Sequence, residues 1–115
     1  MRPFPVVRIA GRLTRRGAHL TIVSVAAPRG ARIGVRCAPR RCKVKPYVGT
    51  VRGKKAKHVA RFERSFRAGV RIVVRVSSSR RIGKYTRLKI RRGRKPARVD
   101  RCLVPGTRAP QKCPG

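Results

Sequence analysis

Arginine alternates with apolar, mostly β-branched residues along much of this chain, and that two-residue period decides what it can fold into. Residues 31–37 read ARIGVRC and residues 70–76 read VRIVVRV. At a period of two, Ile33, Val35 and Cys37 share one side while Arg32, Gly34 and Arg36 share the other. Likewise Ile72, Val74 and Val76 oppose Arg71, Val73 and Arg75. A slip of one residue would bury the arginines, so the register is firmly specified. Val and Ile together number 21, against 5 for Leu and Met. Branched Cβ atoms are stiff at χ1 and suit a pleated, half-buried surface better than a helix.

The same pattern extends along the sequence. Residues 6–13 (VVRIAGRL) set Val7, Ile9 and Leu13 against Arg8, Ala10 and Arg12, and residues 18–26 return with Leu20 and Ile22 on the apolar side. Residues 46–57 read as a short strand and a basic loop. Residues 59–66 (VARFERSF) are read as a strand because their neighbours are strands, although Val59, Phe62 and Phe66 also fit one helical face. Residues 82–90 (IGKYTRLKI) form the last clear strand. Eleven Gly and nine Pro punctuate these segments at short intervals.

The expected fold is therefore all-β. It is a two-sheet β-sandwich of about seven short strands over residues 1–95, with an irregular tail, 96–115, closed by a cysteine pair, in a single domain overall. The expected core is Val7, Ile9, Leu20, Ile22, Ile33, Val35, Phe62, Ile72, Val74, Leu88 and Ile90.

Charge is the second constraint. The 115 residues include 34 basic and 2 acidic side chains, a formal net charge of +32. Any accessible polyanion is then a partner through counterion release. The apolar runs fall far below the ~20 residues that cross a bilayer. Met1-Arg2-Pro3-Phe4-Pro5 lacks the apolar stretch of a signal peptide. Arg8, Arg12, Arg32, Arg36, Arg71, Arg75 and Arg87 recur on outer strand faces, which spreads the charge instead of concentrating it in one groove. Two basic loops are candidate polyanion grips: Lys54, Lys55 and Lys57, and then Arg91, Arg92, Arg94 and Lys95.

The four cysteines are spaced C-x4-C (Cys37, Cys42) and C-x10-C (Cys102, Cys113). A zinc site places short knuckles in both pairs, which the second spacing does not. Disulfides fit better. Residues 38–41 form a turn that sets Cys37 opposite Cys42, with Val35 opposite Val44. Four cysteines permit three connectivities; the expected bridges are Cys37–Cys42 and Cys102–Cys113, because each closes a short local loop. An even cysteine count in a small β domain points to an oxidising, extracytoplasmic setting.

Catalysis lacks parts. Glu63 and Asp100 are the only acidic side chains, and in this basic field each reads as a salt-bridged surface group. His19 and His58 read as solvated, and no nucleophile elbow or phosphate loop is present. No enzyme, cofactor, metal or small-molecule substrate is expected.

Two readings of the charge compete. In one, the chain is a cytosolic nucleic-acid-binding protein of ribosomal or nucleoid type, with Tyr47 and Tyr85 as stacking candidates. In the other, it is a non-catalytic structural or adhesive module outside the membrane that touches anionic polymers. The scarcity of aromatics, the spread of arginines and the cysteine pairs favour the second.

Several stretches carry a resemblance: residues 3–11 (PFPVVRIAG), 27–33 (APRGARI), Arg36-Cys37 with Cys42, and Arg61-Phe62. Ala68-Gly69, residues 82–86 (IGKYT), residues 90–93 (IRRG) and residues 102–106 (CLVPG) closing at Cys113-Pro114 continue it. Together they resemble an Ig-like β-sandwich module of exported or surface proteins from high-GC Gram-positive bacteria. The resemblance implies export and an all-β, Ig-like or fibronectin-like sandwich fold, and it carries no catalytic residue. Such modules follow a signal peptide or another domain, so a chain starting at its first strand is expected to be a fragment or a mis-started reading frame.

Overall fold

A computed structural model describes residues 5–39, 42–53, 55–77, 82–104 and 109–113. The alternation becomes nine strands among these residues: β1 (Val6–Leu13), β2 (Gly17–Ala26), β3 (Arg32–Ala38), β4 (Tyr47–Thr50), β5 (Lys57–His58), β6 (Ser65–Arg67), β7 (Arg71–Ser77), β8 (Gly83–Lys89) and β9 (Ala97–Leu103). They make two antiparallel sheets. In the first, β2 is flanked by β1 on one side and by β5 and β6 on the other; the second runs β4-β3-β7-β8-β9. Between the sheets Val7, Leu20, Ile33, Val35, Phe62, Ile72, Val74, Leu88 and Ile90 are buried, as their inward positions require. Val23, Val25, Val51, Val59, Phe66, Val70 and Val76 join them. Ile9 is partly buried against this cluster. None of the described helices is long and apolar enough to cross a membrane.

Ile22 departs from the expected core: it is 38 % exposed while Val23 and Val25 are buried. The cause is a bulge. Ala10 faces Ile22 but Gly11 faces Leu20, so Thr21 is an extra residue in β2. One inserted residue reverses which side of the strand follows, and the inward series changes from Leu20 to Val23 and Val25.

The strand expected over residues 59–66 is a single 3-10 turn, Ala60–Phe62, between β5 and β6. This division, with β9, takes the strand count from about seven to nine. The turn buries Phe62 and lets Phe66 stack parallel to it, with ring centroids 6.4 Å apart. The segment still completes the ladder of β2 where no strand pairs it. Leu20 N–H donates to Arg64 O at 2.9 Å, Val59 N–H to Val23 O at 2.8 Å, and Val23 N–H to the Glu63 carboxylate at 3.0 Å.

The tail expected to be irregular contains β9, paired with β8 from Ala97↔Lys89 to Leu103↔Gly83. Its inward positions are Arg98, Asp100 and Cys102, opposite Leu88, Thr86 and Lys84. An edge strand whose inward side is partly charged lacks the apolar alternation that marks the others, which is why sequence pattern passes over it. Beyond β9, Cys102 pairs with Gln111 through two backbone hydrogen bonds.

Both expected bridges form: Cys37–Cys42 with Cα atoms 6.0 Å apart, and Cys102–Cys113 at 4.9 Å. The first does not sit across a hairpin ladder. Val35 faces Tyr47, not Val44, because a turn in which Cys42 N–H donates to Pro39 O at 2.8 Å is followed by irregular chain up to β4.

Candidate functional site

The two basic loops lie apart. Lys57 pairs with Val25 near the end of β2, and Lys55 is exposed just before it; Lys54 lies outside the described residues. Arg91, Arg92, Arg94 and Lys95 fall in the β8–β9 connection, beyond the Lys89↔Ala97 pair. There Arg91 Nε donates to Lys95 O at 2.8 Å, closing the turn, while Arg92, Arg94 and Lys95 are exposed. In the second sheet Thr50↔Arg32, the approach to Lys55, and Arg71↔Lys89, the approach to Arg91, mark opposite ends. The loops therefore do not form one site.

The second sheet does assemble one. The pairings Gly34↔Arg75 and Arg75↔Tyr85, then Tyr85↔Arg101, make a row across its outer face. The next row is Arg36↔Val73, Val73↔Arg87 and Arg87↔Val99. Arg32↔Ser77 and Arg71↔Lys89 lie at either end. Arg32, Arg36, Arg71, Arg75, Arg87, Lys89 and Arg101 thus share one face. Adjacent strands stand ~4.8 Å apart and residues two apart along a strand ~7 Å. Neighbouring cations therefore fall within about one Debye length, ~8–10 Å at physiological salt, and their fields add. Arg75 lies over the Tyr85 ring, its guanidinium carbon 5.2 Å from the centroid.

Five of the seven arginines expected to spread the charge are collected here; Arg8 and Arg12 stand on β1 in the other sheet. Alternation places each arginine on an outer face, but only the strand order β3-β7-β8 makes those faces continuous. Arg101 escaped sequence reasoning because β9 did. Lys89 carried a signal, two residues beyond Arg87 in the same strand.

Among the described residues no carboxylate side chain opposes this face, because Glu63 and Asp100 are engaged elsewhere. Asp100 points inward from β9. It accepts from Thr86 Oγ1 at 2.7 Å and from Arg98 Nε at 2.9 Å, with Lys84 Nζ 3.6 Å away. Burial acts to raise its pKa, but the hydrogen bonds from Arg98 and Thr86 and the charges of Arg98 and Lys84 outweigh it and hold the group below its ordinary 3.8. Glu63 sits beside the first sheet with His58 Nδ1 2.9 Å from its Oε2. The His58 hydrogen bond, then the Val23 N–H, hold its pKa below the ordinary 4.5, against the upward effect of burial. His19 Nδ1 lies 2.7 Å from Ser65 Oγ as a cross-strand pair.

Known families and proteins supply no further guide. No family model, characterised protein or solved structure matches this chain.

The sandwich is open along one edge. β1 and β9 end their sheets there, and Arg98 Nη2 donates across the gap to Val7 O at 2.6 Å. Beyond that link the sheets leave a cleft of about 430 Å³, with Ile9, Leu13, Leu20 and Leu88 among its walls and Arg12, Lys95 and Arg98 among its polar lining residues. Leu13, expected on the inner face, lines this cleft and is 48 % exposed.

Proposed function

We propose that this chain is a non-catalytic structural or adhesive module of an exported or surface protein, and that it binds anionic polymers through the outer face of its five-stranded sheet. The observation that carries the reading is the gathering of seven cations on that one face. An extended polyanion laid across the strands meets guanidinium forks, which suit phosphate, sulfate and carboxylate oxygens alike. Arg92, Arg94 and Lys95, carried by the β8–β9 connection, extend the basic surface at one end. The two disulfides are consistent with an oxidising setting outside the cytosol. The sequence resemblance to exported sandwich modules points the same way.

The test is the salt dependence of binding to a duplex DNA probe, where log K falls by roughly 0.9 per phosphate neutralised. Replacing Arg36, Arg87 and Arg101 by Gln should flatten the slope by roughly two to three. Replacing Arg8 and Arg12 on β1 and Arg67 on β6, the same loss of charge placed on the other sheet, should leave it nearly unchanged. Equal effects from the two triple variants would show that only total charge matters, and the face would lose its role.

A further inference from the structure

One position on the basic face has no packing reason for its residue. Gly34 lies in the middle of β3, and glycine within a strand weakens it. Its φ is not positive, and a β-carbon placed there would meet no atom within 4 Å. Neither backbone conformation nor close approach demands glycine. Its effect is to leave a depression of about 320 Å³ in an otherwise arginine-covered surface. Val73 and Gly34 line it together with Pro46, Tyr47 and Val48, and Val48 is 80 % exposed. Arg36 and Arg75 also line it. Arg75 is the direct cross-strand partner of Gly34, and Arg36 is two residues along on the same face.

We propose that this depression seats a sugar ring of an acidic polysaccharide whose sulfate or carboxylate groups are held by Arg36 and Arg75. The proposal rests on the polyanion reading above and names its ligand class. An aliphatic floor suits the C–H face of a pyranose, and the flanking guanidinium forks suit its anionic substituents. A nucleobase stacks best on an exposed aromatic platform; Tyr85 already lies beneath Arg75, and Tyr47, which also lines the depression, is partly buried and packs against the core. Inorganic polyphosphate presents no ring at all.

The experiment compares a heparin oligosaccharide, inorganic polyphosphate and single-stranded RNA of equal total charge, at one salt concentration, on the wild-type chain, Gly34→Val and Val48→Ser. Valine at residue 34 fills the depression and favours the strand, so its folded state should melt no lower than wild type. The wild-type chain should bind the oligosaccharide about tenfold more tightly than polyphosphate, and Gly34→Val should abolish that preference while leaving polyphosphate binding unchanged. Val48→Ser, which removes an exposed apolar wall, should reduce the preference in the same direction. Equal wild-type affinity for oligosaccharide and polyphosphate would overturn the proposal while the polyanion reading stood. So would an RNA preference lost in Gly34→Val, which would mean that a base occupies the depression. Failure to bind any of the three would sink both.

Discussion

Val23 N–H donates to Glu63 Oε2 across 3.0 Å, and a side chain thereby supplies the hydrogen-bond acceptor that a neighbouring strand would otherwise provide. The bulge at Thr21 and the gap between β5 and β6 leave this stretch of β2 without a continuous ladder. In a chain with two acidic side chains, one of them is spent on backbone.

Glu63→Ala is accordingly expected to destabilise the fold by about 1–3 kcal/mol, since it strands a donor in the body of the sheet. Glu63→Gln keeps an acceptor oxygen for Val23 and should cost less. Urea unfolding midpoints decide between them. Equal, negligible losses would mean that water satisfies Val23 equally well.

How legible was this architecture? The period-2 segments gave the inward residues of β3, β7 and β8 directly, because each is flanked by strands and its outward residues are mostly charged. Alternation puts Ile22 inward, wrongly, since an inserted Thr21 leaves no mark in a sequence where residues 20–23 are all apolar or β-branched. β9 was hidden by Arg98 and Asp100, whose inward side chains satisfy each other instead of entering the core. The basic face was half legible: alternation assigns a side to each arginine, while neighbouring sides depend on strand order, which no local pattern encodes.

Stability should fall in acid through Glu63 and Asp100, the chain's two side-chain carboxylates. Both have pKa values lowered in the folded state. Their stabilisation is therefore fully present above the ordinary carboxylate values and is lost as pH falls through the depressed folded ones. Melting temperature should drop as pH is lowered through and below the ordinary carboxylate range. In the Glu63→Gln, Asp100→Asn double variant that pH dependence should flatten. A wild-type slope surviving in the double variant would assign acid sensitivity to something else.

Arg98 joins the two edge strands, bonding Asp100 within its own strand and Val7 O in the opposite sheet. Arg98→Ala should cost about 1–2 kcal/mol, the value of charge-assisted bonds discounted for a partly exposed pair. Lysine cannot reproduce the fork that serves both partners, so Arg98→Lys should recover little. Amide hydrogen exchange in β1 should accelerate in both variants. Unchanged exchange there would show that the open edge holds without this link.

The two disulfides should differ in worth. The ring closed by Cys102–Cys113 spans 11 positions and that of Cys37–Cys42 spans 5. Loop-closure entropy then assigns roughly 3 and roughly 2 kcal/mol to them. Paired Ser substitutions, compared by denaturant unfolding, measure each separately. The reverse order would indicate that local geometry outweighs chain entropy.

Binding to nucleic acid, where it occurs, should be indifferent to sequence. Reading bases in a groove needs side chains aimed at base edges from an element that enters the groove. The basic face is instead a broad sheet of five strands, and its cations rise from a surface too wide for a B-DNA major groove of about 12 Å. Phosphates are reached first and from many directions, so affinity comes from counterion release. Different duplex sequences should compete within about tenfold of one another, far from the ~10³-fold or greater ratio of a specific reader. Competition at several salt concentrations measures both quantities. A preference of three orders of magnitude for one sequence, or affinity insensitive to salt, would mean that something other than this face makes the contact.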